Sequence, residues 1–146
     1  MTNRVIAYTD GACKGNPGIG GWGAFLVYKG IEKEIYGAEK ETTNNRMEIL
    51  AAINALKILK SRCSITIYTD SKYLKNGMLE WMTNWIKNNW QTAAKKPVKN
   101  KDLWLELNEL VKLHDVDWKW VKGHSGDAGN DKADELANKA IDELRG

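Results

Sequence analysis

The chain has 146 residues, 28% charged and 42% hydrophobic, with a formal net charge of +3. That length fits one domain, residues 1–146, able to bury about 68–70% of its unfolded surface without disulfide or metal staples. The composition is that of an ordinary globule, no run approaches the ~20 apolar residues of a membrane span, and so mild a charge does not by itself establish a polyanionic partner.

Two cysteines, Cys13 and Cys63, are far apart and lack the paired spacing of a zinc site. They point to a reducing compartment, so a cytoplasmic protein is expected. The opening MTNRVIAYTD does not read as a signal peptide, because Asp10 interrupts its short apolar run.

Val5–Thr9 reads as a short strand that stops at Asp10, followed by the glycine-rich turn ACKGNPGIGG. Trp22–Tyr28 and Ile31–Ala38 read as two more strands joined by Lys29-Gly30, completing an antiparallel meander. Thr42-Thr43-Asn44-Asn45 supplies helix caps. A helix follows with Met47, Leu50, Ile53, Ala55, Leu56 and Leu59 at helical spacing. Ser64–Thr69 is a fourth strand ending at Asp70. Ser71–Gly77 begins a short helix that Gly77 is expected to stop, and Trp81–Trp90 forms a further helical piece. Ala93–Asn100 reads as a loop broken at Pro97. Asp102 is expected to cap a helix carrying Leu103, Leu107, Leu110 and Val111. Val116–Val121 alternates like a half-buried strand, Gly123-His124-Ser125-Gly126 is a loop, and Asp127 caps the last helix.

The expected topology makes carboxylates converge. In a meander the third strand runs parallel to the first, so the chain leaves it at the rim where Asp10 sits. The next helix starts there with Glu48 in its early turns. It returns the chain for a right-handed crossover into Ser64–Thr69, which delivers Asp70 to the same rim. A parallel last strand brings His124 out there too, with Asp134 early in the final helix. Taken singly, each acid reads more readily as a turn, cap or surface charge than as a ligand. Together they need a cause. Two like charges about 4 Å apart repel by about 4 kcal/mol at an effective dielectric of about 20. Either some stay protonated or cations hold them. An oxygen-only set suits Mg²⁺, with Mn²⁺ as substitute, over Zn²⁺. Two such ions can stabilise the attacking and leaving oxygens of a phosphoryl transfer. His124, between small residues in GHSG, has a side-chain type suited to proton transfer at neutral pH; an ordinary loop histidine is the plain alternative.

Residues 81–101 carry Lys87, Lys95, Lys96, Lys99 and Lys101 and no acid. Trp81 and Trp85 share a helix face there, with Trp90 following. Lysines contact phosphates and aromatic faces pack on bases or sugars, so this segment reads as a nucleic-acid-binding protrusion. The competing reading is a small local tryptophan core under solvated lysines, and both can hold. Trp104, Trp118 and Trp120 read as core or core-edge residues.

YTDGACKGNPG around Asp10, TTNNRMEILAAINAL around Glu48, YTDSKYLKNG around Asp70 and VKGHSGDAGNDKADELA around His124 and Asp134 resemble bacterial type 1 ribonuclease H over essentially the whole chain. The resemblance implies a ribonuclease H-like α/β fold, a five-stranded mixed sheet with helices on both faces. It implies cleavage of the RNA strand of an RNA–DNA hybrid, leaving 5′-phosphate and 3′-hydroxyl ends. Asp10, Glu48, Asp70 and Asp134 would hold two Mg²⁺ ions and His124 would assist proton transfer or product departure. Cys13 (through its backbone), Asn16, Asn44 and Asn45 would lie along the RNA strand. Lys72 stands where glutamine is common, so that RNA contact becomes electrostatic. Thr43 and Asn100 would hold a DNA phosphate. Trp81 and Trp85, with Lys87, Lys96 and Lys99, would line the DNA side. Glu41, Ile86 and Asn88 stand where relatives are often more basic, which implies weaker, less salt-sensitive hybrid binding. A monomer with no obligate protein partner and no membrane contact is expected. The rival functions are a DNA nuclease or integrase of the same fold class and a non-catalytic hybrid-binding module.

Overall fold

The computed structural model describes residues 4–122 and 127–146. Among them the sheet has the order β3-β2-β1-β4-β5. β1 (Arg4–Lys14), β2 (Gly18–Tyr28) and β3 (Ile31–Thr42) form the antiparallel meander. β4 (Ser64–Thr69) pairs parallel with β1, and β5 (Asp115–Trp120) parallel with β4. The parallel return of the chain into β4 expected from the sequence is therefore present.

The first correction concerns Asp10. β1 does not stop there but runs on to Lys14, paired with β2 as far as Lys14↔Ile19. Of the glycines that read as a turn, Gly15 stays in one, while Gly11, Gly20 and Gly21 are strand residues placed where a side chain would keep a helix away. A Cβ on Gly11 would lie 2.6 Å from the Glu48 nitrogen. One on Gly23, the residue paired with Asp10, would lie 2.5 Å from the Ala133 oxygen. These two bare positions let a helix from each side settle beside Asp10, one carrying Glu48 and the other Asp134. Asp10 is still at a rim of sorts, because the parallel pairing of β1 with β4 ends one residue earlier, at Thr9↔Thr69.

α1 (Asn44–Lys57) begins at Thr43, whose hydroxyl accepts from the Arg46 N–H at 3.2 Å. It is buried around most of its circumference, from Met47 to Leu56, because the sheet lies on one side and α4 (Lys101–Lys112) on another. α5 (Ala128–Arg145) is capped by Asp127, which accepts from the Asn130 N–H at 2.9 Å. It lays Ala133, Leu136, Ala137, Ala140 and Ile141 along the glycines of β2. Small residues against glycines permit this close approach.

α2 (Lys72–Asn76) starts at Ser71, whose hydroxyl accepts from the Leu74 N–H at 3.0 Å. Gly77 does not stop the chain, a second correction. It opens a π-helical turn, Gly77–Trp81, that runs into α3 (Met82–Lys87). The residue is glycine for want of space: a Cβ there would come 2.2 Å from the Trp104 ring. Trp104 is fully buried and touches Tyr73 and Trp85, at centroid distances of 5.4 and 5.3 Å. Trp81 and Trp90 extend this cluster, so the tryptophans do build a local core. The lysines at 87, 95, 96 and 99 stay exposed above it. A third correction concerns α4: its N-cap is Asn100, in the left-handed region at φ 62°, and Asp102 instead pairs with Arg46 at 2.8 Å. No helix among the described residues is long and apolar enough to cross a membrane.

Candidate active site

β1, α1 and the segment after β4 deliver Asp10, Glu48 and Asp70 to one place. An oxygen from each lies within 4.8 Å of the others. Asp10 and Glu48 are each only 4% exposed, an unusual state for carboxyl groups with no ion pair among the described residues. They line a cleft of about 400 Å³ together with Asn44, Asn45, Lys72 and Asp134. Asp134 projects from the first turns of α5 and stands beside Asp10, outside the tight group of three.

The electrostatics follow from burial. Desolvation, then the charge of Asp70 and hydrogen bonds with Asp70 and Asp134, push the Asp10 carboxyl up to about 9. Glu48 is driven well above the usual carboxylate range by burial first, then by Asp10 and Asp70, with the Gly11 N–H opposing. Without cations the cleft therefore retains protons at neutral pH. Glu48 Oε1 is buried and has no hydrogen-bond partner among the described residues. An oxygen-only donor set with an unsatisfied buried carboxylate oxygen fits a hard divalent cation.

The comparisons with known proteins agree with this geometry. The RNase H family model matches residues 2–142. Ribonuclease H of Francisella tularensis subsp. novicida (strain U112) is 73% identical over 144 residues, covering 99% of this chain and 95% of that protein. The chain belongs to the type 1 ribonuclease H family. Among solved structures, LC9-RNase H1 superposes with a TM-score of 0.88 at 32% identity, covering 98% of this chain and 74% of that one. LC11-RNase H1, solved in complex with an RNA/DNA hybrid, shares the fold at a TM-score of 0.73 and 23% identity, covering 97% and 99% of the two chains.

The remaining candidate residues fall into three groups. Asn16 Oδ1 accepts from the Asn44 N–H at 2.8 Å, tying the β1–β2 turn to the start of α1. The Cys13 thiol donates to the Thr42 carbonyl at 3.4 Å, which fixes the neighbouring backbone. Thr43 and Asn100 flank Arg46, whose Nη1 donates to Asn100 Oδ1 at 3.2 Å. Trp81 and Trp85 are half-buried in the aromatic cluster, while Lys87, Lys96 and Lys99 lie outside the cleft on the protrusion. His124 lies outside the described residues.

Sequence reasoning passed over Arg46 and Tyr73, and read Trp120 only as a core or core-edge residue. Arg46 bridges α1 and α4 through Asp102 and Asn100, and the NNRME run carried it in plain view. The hydroxyl of Tyr73 accepts from Asn100 Nδ2 and Trp104 Nε1, so one phenol joins the cleft wall to the core. The indole of Trp120 donates to the Asp70 carbonyl at 3.1 Å. Only the excess of tryptophan hinted at the last two.

Proposed function

We propose that the protein is an endonuclease that hydrolyses the RNA strand of RNA–DNA hybrids with the help of two Mg²⁺ ions, leaving 5′-phosphate and 3′-hydroxyl ends. The observation that carries this reading is the meeting of three carboxylates, two of them buried, with Glu48 Oε1 unsatisfied. The family membership and the hybrid bound by LC11-RNase H1 support the substrate class.

Asp10, Glu48, Asp70 and Asp134 would hold the ions. When bound, divalent ions lower the pKa of water and offset charge on the leaving oxygen. Water forms the new bond to phosphorus, the bond to the 3′ oxygen breaks, and a proton ends on that oxygen. His124 is the group suited to move or hold that proton. Asn16, Asn44, Asn45 and the Cys13 backbone would meet the RNA strand and its 2′-hydroxyls, the feature that separates RNA from DNA. Thr43 and Asn100 would hold a DNA phosphate. Lys87, Lys96 and Lys99 would contact DNA phosphates over the floor that Trp81 and Trp85 provide.

The test is cleavage of labelled hybrid, duplex DNA and duplex RNA, each with Mg²⁺ and with EDTA, followed by analysis of product ends. Cleavage of the hybrid alone, dependent on the metal, is expected. Cleavage of duplex DNA would favour the DNA-nuclease reading. Binding without cleavage of any substrate would favour a pure binding module.

A further inference from the structure

Trp120 is the last residue of β5, paired with Thr69 at the end of β4. By strand alternation it faces the same way as Trp118. Trp118 is 9% exposed and belongs to the core, whereas Trp120 has passed the edge of that core and is 37% exposed. An exposed indole at a strand end has no packing reason to be large.

Two contacts supply a reason. The indole Nε1 donates to the Asp70 carbonyl at 3.1 Å, and the Lys72 ammonium lies 5.2 Å from the indole ring centroid. Asp70 falls between β4 and α2: the Val121 N–H holds the peptide before it through the Thr69 carbonyl at 2.9 Å, whereas the peptide after it belongs to neither strand nor helix. On its other side, the Ser71 N–H donates to the buried Thr69 hydroxyl at 3.0 Å. The peptide that presents the third carboxylate is thus pinned from both sides. Pinning keeps the Asp70 carboxyl within 4.8 Å of the Asp10 and Glu48 oxygens, a crowding of three acids that a free peptide would relax. Lys72, on the adjoining turn, lines the same cleft.

We propose that Trp120 is a positioning residue for the cleft: its N–H fixes the Asp70 peptide for cation binding, and its ring face holds the Lys72 ammonium where the RNA strand passes. The inference rests on the cleft being the hybrid-cleaving site. One ring serves two groups that differ in role, so its two functions separate by substitution. Trp120→Phe keeps an aromatic face but has no N–H. Trp120→Leu removes both.

The experiment measures Mn²⁺ affinity by calorimetry, kcat and KM on a labelled hybrid, and the thermal midpoint of each variant. Trp120→Phe is expected to weaken Mn²⁺ affinity or lower kcat by about ten- to a hundredfold, the usual effect of removing a group that orients a metal ligand, with KM little changed. Trp120→Leu is expected to show the same loss and a KM raised by a further two- to fivefold or so, the equivalent of an exposed cation–π contact. Lys72→Met should raise KM in the Trp120→Phe background and much less in the Trp120→Leu background. Wild-type Mn²⁺ affinity and kcat in Trp120→Phe overturn the tether. Equal KM values for the Phe and Leu variants overturn the role of the ring. Should Trp120→Leu not fold, the ring is tested by the NMR shifts of Trp120 on Lys72→Met, and unchanged shifts overturn it. A wild-type enzyme that cleaves no hybrid defeats the functional reading instead, while the Mn²⁺ comparison still judges the tether.

Discussion

The carboxylate cleft and the aromatic protrusion are built on opposite principles. In the cleft, like-charged groups are buried together and one carboxylate oxygen has no partner among the described residues. In the protrusion, rings of Tyr73, Trp81, Trp85, Trp90 and Trp104 pack at centroid distances of 5.3 to 5.9 Å, and the lysines remain in water. The first arrangement opposes folding until something binds. The second stabilises the fold and presents positive charge at no desolvation penalty. A residue's contribution to stability therefore points in opposite directions in the two regions, and substitutions can break or sharpen that contrast.

The largest expected effect is Asp10→Asn. Hybrid cleavage should fall by about a thousandfold or more, on the scale of losing a principal electrostatic group, while hybrid binding persists or improves. The thermal midpoint of the metal-free variant should rise at neutral pH, since an amide replaces a buried carboxyl that must take up a proton on folding. A gel cleavage assay, a binding titration and a melting curve check all three. Next is Trp104→Ala, which removes a fully buried ring from the heart of the aromatic cluster. A loss of about 3–5 kcal/mol is expected in urea unfolding, and the protrusion should lose its seat with it.

These two residues also mark what the sequence disclosed. The meander, the parallel return into β4 and the meeting of Asp10, Glu48 and Asp70 were legible, because short connections and alternating patterns constrain topology. The role of the glycines was not. Gly11 and Gly77 read as turn or stop signals and Gly23 as an ordinary strand residue, yet each is a bare spot where a helix or a ring must come close. Such a need depends on a partner remote in the chain, which a local pattern does not contain. The same limit hid Trp120, whose partners Asp70 and Lys72 lie far from it in sequence. Asp102 misled for a related reason: its charge is taken by Arg46 on another helix, and the left-handed Asn100 closes the helix start instead.

A smaller effect concerns pH. The folded state raises the Asp10 carboxyl from 3.8 to about 9, so this group favours folding fully below its ordinary value, and the contribution is lost as pH rises through about 9. In EDTA the thermal midpoint should decline with pH across the neutral range, more shallowly in Asp10→Asn. His114 acts in the other direction. Burial, then Arg62, lowers its pKa, so its contribution is present above 6.5 and lost as pH falls. The Asp10→Asn comparison isolates the carboxyl from this background. A wild-type slope retained in the variant would contradict the assignment.

The smallest effects belong to the protrusion. Lys87→Ala, Lys96→Ala and Lys99→Ala should each weaken hybrid binding a few-fold and reduce the slope of log affinity against log salt by about one. Their unfolding free energies should stay within about 0.5 kcal/mol of wild type. A variant that melted early yet kept its salt slope would reverse the contrast between the two regions.

The most direct test is a calorimetric Mn²⁺ titration of the free protein, of Asp10→Asn and of Glu48→Gln. Saturable binding by the wild type, lost or greatly weakened in both variants, is the predicted result. Equal binding by all three proteins would mean that the buried acids are not what grips the cation.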